Sequence, residues 1–244
     1  MVDVHQYHRI SESTHRIMNP LTLERLLLVG DICRLNADSN VLDLACGKGE
    51  MLSQFAARLG VAGVGVDVYA PVIADAYARA VELGVVDRVK LVEGDAATPL
   101  SLGKFDVVSC LGASWIGGGL AGTLQIMLRH ATARAWLLVG EAYWARSPSS
   151  ELAKRYGQAF TDLAGTLDVF DDAGVDLVEM LLSNSDDWDR YTASQWLNVA
   201  NWLDANPDDP DAVTVRAERD QSRRRYLTDE RGTVGWGVFV LRVG

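Results

Sequence analysis

The sequence has no apolar stretch near its start that would serve as a signal peptide, and no run long enough to span a bilayer. It has only three cysteines, Cys33, Cys46 and Cys110, with no Cys-x-x-Cys pair among them. That argues against a disulfide framework and a zinc site, and it suits a reducing cytoplasm. Internal repeats and low-complexity segments are absent. Positive charge is in short supply: 23 Lys and Arg stand against 33 Asp and Glu, a formal charge of −10. An acidic surface repels phosphate backbones, which argues against a nucleic-acid partner. The one basic cluster, Arg223, Arg224 and Arg225, lies among Glu218, Asp220, Asp229 and Glu230 and reads as a solvated helix face.

What is present is a 244-residue chain with 48% hydrophobic content, enough for a sizeable core in one domain. It is organised around residues 41–49, Val-Leu-Asp-Leu-Ala-Cys-Gly-Lys-Gly. The first four residues read as a short buried strand, Gly47 and Gly49 break it, and an amphipathic helix opens at Glu50. Glycines let the backbone approach a ligand closely, and a helix N-terminus offers unpaired N–H groups. Asp43 sits inside the apolar run, where an ionised carboxylate needs a partner.

Strands are expected at 41–44, 62–68, 89–92, 105–110 and 135–139, alternating with helices at 50–58, from Pro71 to a stop at Gly84, and from the glycines at 117–119 to Ala131. Asn19 and Pro20 are expected to open a helix running to about Leu35. Asp75 and Arg79, four apart, are placed to pair. Beyond Glu141 the alternation loosens. Helices are expected at 149–163, 166–173, 186–205 and 211–227, and strands at 175–182 and 233–243. Gly235 and Gly237 in the last strand signal a bulge or a close approach. The βα alternation implies a parallel, doubly wound α/β sheet, whose ligands bind beyond the carboxyl ends of the strands. Gly47, Asp67, Asp95, Gly112 and Glu141 all fall at or just past such ends.

The glycine segment resembles motif I of the class I S-adenosylmethionine (SAM)-dependent methyltransferases, hydrophobic-Asp-hydrophobic-x-x-Gly-x-Gly. The dinucleotide fingerprint Gly-x-Gly-x-x-Gly/Ala fits less well, because its third small position is Leu52 here. Asp95, in Glu-Gly-Asp-Ala-Ala, resembles the family's motif II. The resemblance implies a Rossmann-like seven-stranded sheet, mostly parallel with an antiparallel last strand, plus helical cap elements. Within one domain it divides the chain into an N-terminal cap (1–36), a SAM-binding core (37–145) and helical insertions with C-terminal strands (146–244).

By the same resemblance Asp43, Ala45, Gly47 and Gly49 hold the methionine tail, Asp67 takes both ribose hydroxyls beside Val68, and Asp95 and Ala96 read the adenine. Leu111 touches the cofactor through its main chain. The competing readings are a helix N-cap for Asp67 and an Asx turn for Asp95. The residues 12–20 and the Trp-rich stretch 186–203 look like a bacterial small-molecule subgroup related to the ubiquinone/menaquinone-type enzymes.

The function implied is in-line SN2 methyl transfer from SAM to a small-molecule N, O or C nucleophile, with S-adenosylhomocysteine (SAH) as product. The alternatives are a non-catalytic SAM-binding partner or sensor and an NAD-dependent oxidoreductase. Candidates for a base are Glu141, His8 and His15, and candidates for substrate contact are Tyr7, Arg16, Trp115 and Tyr143. The Asn/Asp-Pro-Pro-Tyr motif of nucleic-acid amino-methyltransferases is absent. The adjacent Asp171 and Asp172 do not make a metal site, and no metal is expected. A homodimer is compatible with the sequence, and no membrane partner is expected.

Overall fold

The computed structural model describes residues 4–99, 101–157 and 159–244, with side chains from residue 6 onward at the N-terminal end. Helices α1 (Val4–Ser11) and α2 (Leu23–Ile32) precede β1 (Asn40–Leu44), α3 (Glu50–Leu59), β2 (Ala62–Asp67), α4 (Ala70–Glu82) and β3 (Val89–Glu93). Next come β4 (Phe105–Leu111), a 3-10 turn at Ser114–Gly117, α5 (Leu120–His130) and β5 (Ala131–Trp144). The chain continues through α6 (Ser150–Tyr156), α7 (Leu163–Asp172), β6 (Val175–Leu182), α8 (Ser185–Ala205) and α9 (Ala212–Arg225). A π-helical turn at Tyr226–Glu230 then leads into β7 (Val234–Val243).

The strands form one seven-stranded sheet in the order β3-β2-β1-β4-β5-β7-β6. The pairs β1–β2, β1–β4, β2–β3 and β4–β5 are parallel, while β7 runs antiparallel to β5 and β6. This is the Rossmann-like architecture the motif resemblance implied. The order reverses between β1 and β4, and that switch point opens a crevice at the carboxyl ends of the strands.

Neighbouring residues on a strand feed opposite faces of the sheet, so both faces are apolar. Val41, Val107, Leu138 and Val240 pack with Leu26, Val29, Leu52 and Phe55 on one side. Leu42, Val108, Leu137 and Phe239 pack with Leu124, Met127 and Phe170 on the other. A third, separate cluster of Ile10, Val199, Leu203, Ala212 and Val215 joins α1, α8 and α9 into a helical cap.

Several local expectations need correction. Thr22, not Asn19, caps α2, its hydroxyl accepting from the Arg25 amide at 3.3 Å. The helix also stops at Ile32, because Arg34 turns left-handed (φ 52°) and the Leu35 amide closes back on the Gly30 carbonyl at 3.1 Å. Arg79 does not pair with Asp75. It turns inward to the buried Glu50 at 2.6 and 2.9 Å and meets Glu82 at 2.7 Å, because a two-pronged bond to a buried carboxylate outweighs an exposed helix-surface pair. Strand β5 is far longer than 135–139, since β7 pairs with it from Trp136 to Trp144. Gly235 and Gly237 serve close approach: a Cβ on Gly235 would lie 2.3 Å from Tyr143 Cζ, and one on Gly237 2.6 Å from Leu182. The register irregularity sits instead on β6, between Leu177 and Glu179.

Phe55 has no exposed surface and anchors α3 to the sheet. Phe55→Ala is expected to lower unfolding stability by about 3–5 kcal/mol with an unchanged denaturant slope, as measured by urea unfolding.

Candidate active site

The turn leaving β1 is left-handed at Ala45, Gly47 and Gly49, with φ of 58°, 51° and 66°. Gly49 also needs its missing side chain, because a Cβ there would lie 2.8 Å from Ala76 Cβ. The turn is sewn to β2 by two bonds, Cys46 N–H to Val66 O and Gly47 N–H to Asp67 Oδ2, both 2.9 Å. Cys46 itself packs as a small residue: a Cβ on Gly65 would come within 2.8 Å of its Sγ.

Asp67 accepts a second amide bond, from Tyr69 at 3.0 Å to Oδ1. Each carboxylate oxygen can accept more than one donor, so Asp67 keeps capacity on both. Asp95, exposed just past the end of β3, the next strand out, accepts the Ala97 amide at 2.8 Å through Oδ1, and Ala96 behind it is buried. This is an Asx turn, and among the described residues it leaves Oδ2 without a hydrogen bond. Asp43 is buried and takes a 2.7 Å hydrogen bond from the Ser109 hydroxyl. Burial pushes its pKa up to about 7; the Ser109 bond opposes this and the charge of Asp67 adds to it.

Across the switch point, the Gly112 amide donates to Gly140 O at 2.8 Å, holding the end of β4 against the middle of β5. Glu141 follows, buried, with Oε1 accepting its neighbour's Ala142 amide at 2.9 Å. Its Oε2 is buried with no hydrogen-bond partner among the described residues. Burial raises its pKa, against the Ser114 hydroxyl and the Ala142 amide. Two large apolar side chains stand in solvent just past the strand ends, Val68 (66% exposed) after β2 and Trp115 (72%) after β4.

A strap formed by residues 12–22 crosses this crevice. Met18 Sδ would be 3.2 Å from a Cβ on Gly47. Asn19 Nδ2 donates to Leu111 O at 3.2 Å, so that carbonyl is held by the protein's own strap. Lys48 Nζ donates to Glu12 O at 2.7 Å and His15 O at 3.1 Å, and burial lowers its pKa. The strap is pinned to α8 by Tyr191, which donates to Glu12 Oε1 at 2.7 Å. His15 Nε2 lies 2.8 Å from Ser194 Oγ, and its Nδ1 is 3.1 Å from Glu12 Oε2, outside hydrogen-bond geometry.

The structure therefore brings Asp43, Ala45, Gly47, Gly49, Asp67 and Val68 around one turn. Asp95 and Ala96 flank it on one side, and Leu111, Trp115 and Glu141 on the other. It does not bring every candidate there. His8 is exposed on α1, and Tyr7 packs with the cap cluster around Ile10 and Val199. Tyr143 is buried, its ring filling the space left by Gly235. Arg16 is exposed and bonded to Glu82 at 3.0 Å. Ser109, Lys48 and Glu12 escaped the sequence reading, and Asn19 entered it only as a helix cap. A serine inside an apolar strand was a visible signal for the first of these; the others act through the strap, whose path local sequence does not encode.

Comparison with known proteins fits this geometry. A family model described as a methyltransferase domain matches residues 41–132, which run from β1 into the start of β5. The chain is 42% identical over 245 residues to YjhP of Escherichia coli K12, a protein of uncharacterised function, covering 98% of this chain and 99% of that one. It is 42% identical to a SAM-dependent methyltransferase of Thiobacillus denitrificans solved with SAH, at a TM-score of 0.92 and full coverage of both chains. The chain belongs to the SAM-dependent methyltransferase family. A further family structure with SAH, from Geobacter sulfurreducens, is 43% identical over 99% of each chain at a TM-score of 0.92. Likeness over the whole length means that the strap and α8 of this methyltransferase, as well as its glycine turn, belong to the shared design. No helix among the described residues is long and apolar enough to cross a membrane.

The buried Asp43 carboxyl gives this methyltransferase a pH signature. Its folded pKa of about 7 lies above the ordinary 3.8, so between those values the folded state holds a proton that the unfolded chain has released. Stability from this group is full below about 3.8 and is lost as pH rises toward 7. Asp43→Asn is expected to flatten that slope and to raise the melting temperature at pH 7, read by thermal unfolding at a series of pH values.

Proposed function

We infer that this chain transfers a methyl group from SAM to a small-molecule N, O or C nucleophile, releasing SAH, with the whole chain working as one catalytic unit. The observation that carries the reading is the strap. It roofs the glycine turn and the end of β4, and a roof there favours a small acceptor over a strand of nucleic acid or a folded protein. The segments 12–20 and 186–203, which carried the resemblance to ubiquinone/menaquinone-type enzymes, are the ones that build this roof, and that supports the small-molecule subgroup.

The residues present fit the cofactor. The left-handed Gly47 keeps a Cβ out of the space beneath Met18, the left-handed Gly49 lets α4 close against the turn, and the first turn of α3 directs free amides toward a carboxylate. Asp43 is poised to ionise beside an ammonium group, since a nearby cation lowers a carboxyl pKa. Asp67 accepts hydroxyl donors on its remaining lone pairs, and Asp95 Oδ2 accepts an amino group. Val68 and Trp115 supply apolar cover.

When bound, SAM supplies a methyl group made electrophilic by a sulfonium. The chain then has to align the acceptor, exclude water and, where the nucleophile is protonated, remove a proton. Glu141 fits the last task. It lies inside β5 and not past its end as the sequence suggested, one residue beyond the last that pairs with β4, with a buried oxygen that has no hydrogen bond and a pKa raised by burial. His15 is committed to Ser194 and stands beside Glu12, which suits a positioning role.

Asp67→Ala is expected to abolish SAH binding in calorimetry, while wild-type affinity would remove the ribose assignment. Glu141→Gln is expected to cut turnover by about 10²-fold or more with SAH affinity intact. Wild-type turnover should rise with pH above the usual carboxylate range as Glu141 ionises. The acceptor is found by incubating labelled SAM with fractionated metabolites and identifying what gains the label by mass spectrometry.

A further inference from the structure

Lys48 stands between the two glycines of the cofactor turn, and its side chain leaves that turn for the strap. Its ammonium donates to Glu12 O at 2.7 Å and His15 O at 3.1 Å, with Ser13 O at 3.4 Å. An ammonium has three donors, so these three carbonyls engage the whole set. The half-buried charge is thus met by main chain rather than by a carboxylate. Burial lowers its pKa from the ordinary 10.5; the charges of Asp75 on α4 and Glu12 on the strap oppose this, and that of Arg16 adds to it.

The strap residues that supply these carbonyls are themselves locked to α8. Glu12 Oε1 accepts from Tyr191 Oη at 2.7 Å and Gln195 Nε2 at 2.5 Å, and His15 Nε2 lies 2.8 Å from Ser194 Oγ. Lys48 therefore joins the helical cap to the glycine turn. Polar ties rather than packing hold residues 13–16 in place. Ser13, Thr14 and Arg16 are exposed, and cavities border the segment on both sides, about 250 Å3 between strap and α8 and about 340 Å3 between strap, Lys48 and α4. Further along, Met18 Sδ would be 3.2 Å from a Cβ on Gly47, and Asn19 is bonded to Leu111 O. Residues 16–18 thus cross the turn between two ties, Lys48 on one side and Asn19 on the other.

We propose that Lys48 is a positioning residue that clamps the strap over the methionine tail of the bound cofactor and so sets how long SAH stays. On the cofactor reading the tail lies against Gly47, beneath Met18, and it leaves only when this part of the strap lifts. The donors of Lys48 are all engaged by the strap, so it acts on the cofactor through the strap and not by contact. An arginine keeps the charge, but its planar fork cannot turn three donors into one bowl of carbonyls as an ammonium does. The effect on SAH rests on the cofactor reading; the effect on the strap rests on the clamp geometry alone.

The test compares the wild-type chain with Lys48→Met, which keeps the length and apolar stem, and Lys48→Arg, which keeps the charge. Two quantities are read. One is amide hydrogen exchange of peptides covering residues 12–19 in SAH-free protein, by mass spectrometry. The other is the rate at which labelled SAH is released into an excess of unlabelled SAH. Lys48→Met is expected to quicken both by about tenfold or more, the size of one lost charge-assisted bond, and Lys48→Arg to fall between the two. Release from the wild type should also quicken as pH rises toward the lowered ionisation of Lys48, below 10.5. Lys48→Arg stays charged and shares every other titration in the site, so it should lack that rise. Wild-type strap exchange in Lys48→Met overturns the clamp. Wild-type release from Lys48→Met, at full or reduced numbers of sites, overturns the effect on SAH, and so does an equal pH rise in Lys48→Arg. Failure of the wild-type chain to bind SAH overturns the cofactor reading instead, and exchange at the strap still decides the clamp.

Discussion

The turn between β1 and α3 constrains everything around it. Three of its five residues are left-handed, one of them an alanine, and an L-residue in that conformation is strained by roughly 1–2 kcal/mol. The surroundings hold it there: Gly47 N–H is bonded to Asp67 and Cys46 N–H to Val66, while Gly49 is pressed against Ala76 on α4. The turn fixes where α3 starts, how closely α4 approaches and where the carboxylate of Asp67 points. A side chain at Gly49 would push α4 off α3, and the bidentate Glu50–Arg79 bond between those helices would have to follow.

Two buried carboxyls share the strand ends, and they are treated differently. Asp43 has a hydroxyl bond and a second acid nearby; Glu141 has its neighbour's amide on Oε1 and the Ser114 hydroxyl close by. Both pKa values are raised, and the first cause in each case is loss of water. A group held in that state responds strongly to whatever charge is brought next to it, which is useful only where ligands come and go. The strap supplies the other requirement, exclusion of solvent. It is tied along its length: Lys48 holds the carbonyls of Glu12 and His15, Asn19 reaches the end of β4, Ser183 donates to Pro20 O, and Tyr191, Gln195 and Asn198 bind Glu12, Met18 and Thr14 to α8.

The parallel half of the sheet was readable because its strands are short apolar runs ended by glycine or acid. Asp67 does not cap α4, whose N-cap is Tyr69, and the Asx turn at Asp95 does not exclude a ligand role. Each uses part of its carboxylate to tie a backbone amide and keeps the rest. Less was legible at the edges. Asn19 looked like a helix cap because Asn before Pro is a good local signal, but the helix starts only at Leu23 with Thr22 as its cap, and the Asn19 amide donates to Leu111 O. Arg79 looked like a partner for Asp75 because spacing reports only neighbours on the same helix; Glu50 lies on another one.

The sequence alone determined the order of strands and helices, the glycine turn and the acids that follow each strand, because hydrophobic period and backbone freedom are local properties. Tertiary structure decided which polar groups meet. The pairing of Asp43 with Ser109, the strap over Gly47 and Gly112, the unpaired oxygen of Glu141 and the cavity between strap and α8 all join segments distant in sequence or depend on which face of the sheet a side chain takes. Such meetings are set by how layers pack to bury apolar surface, and no window of sequence contains that information.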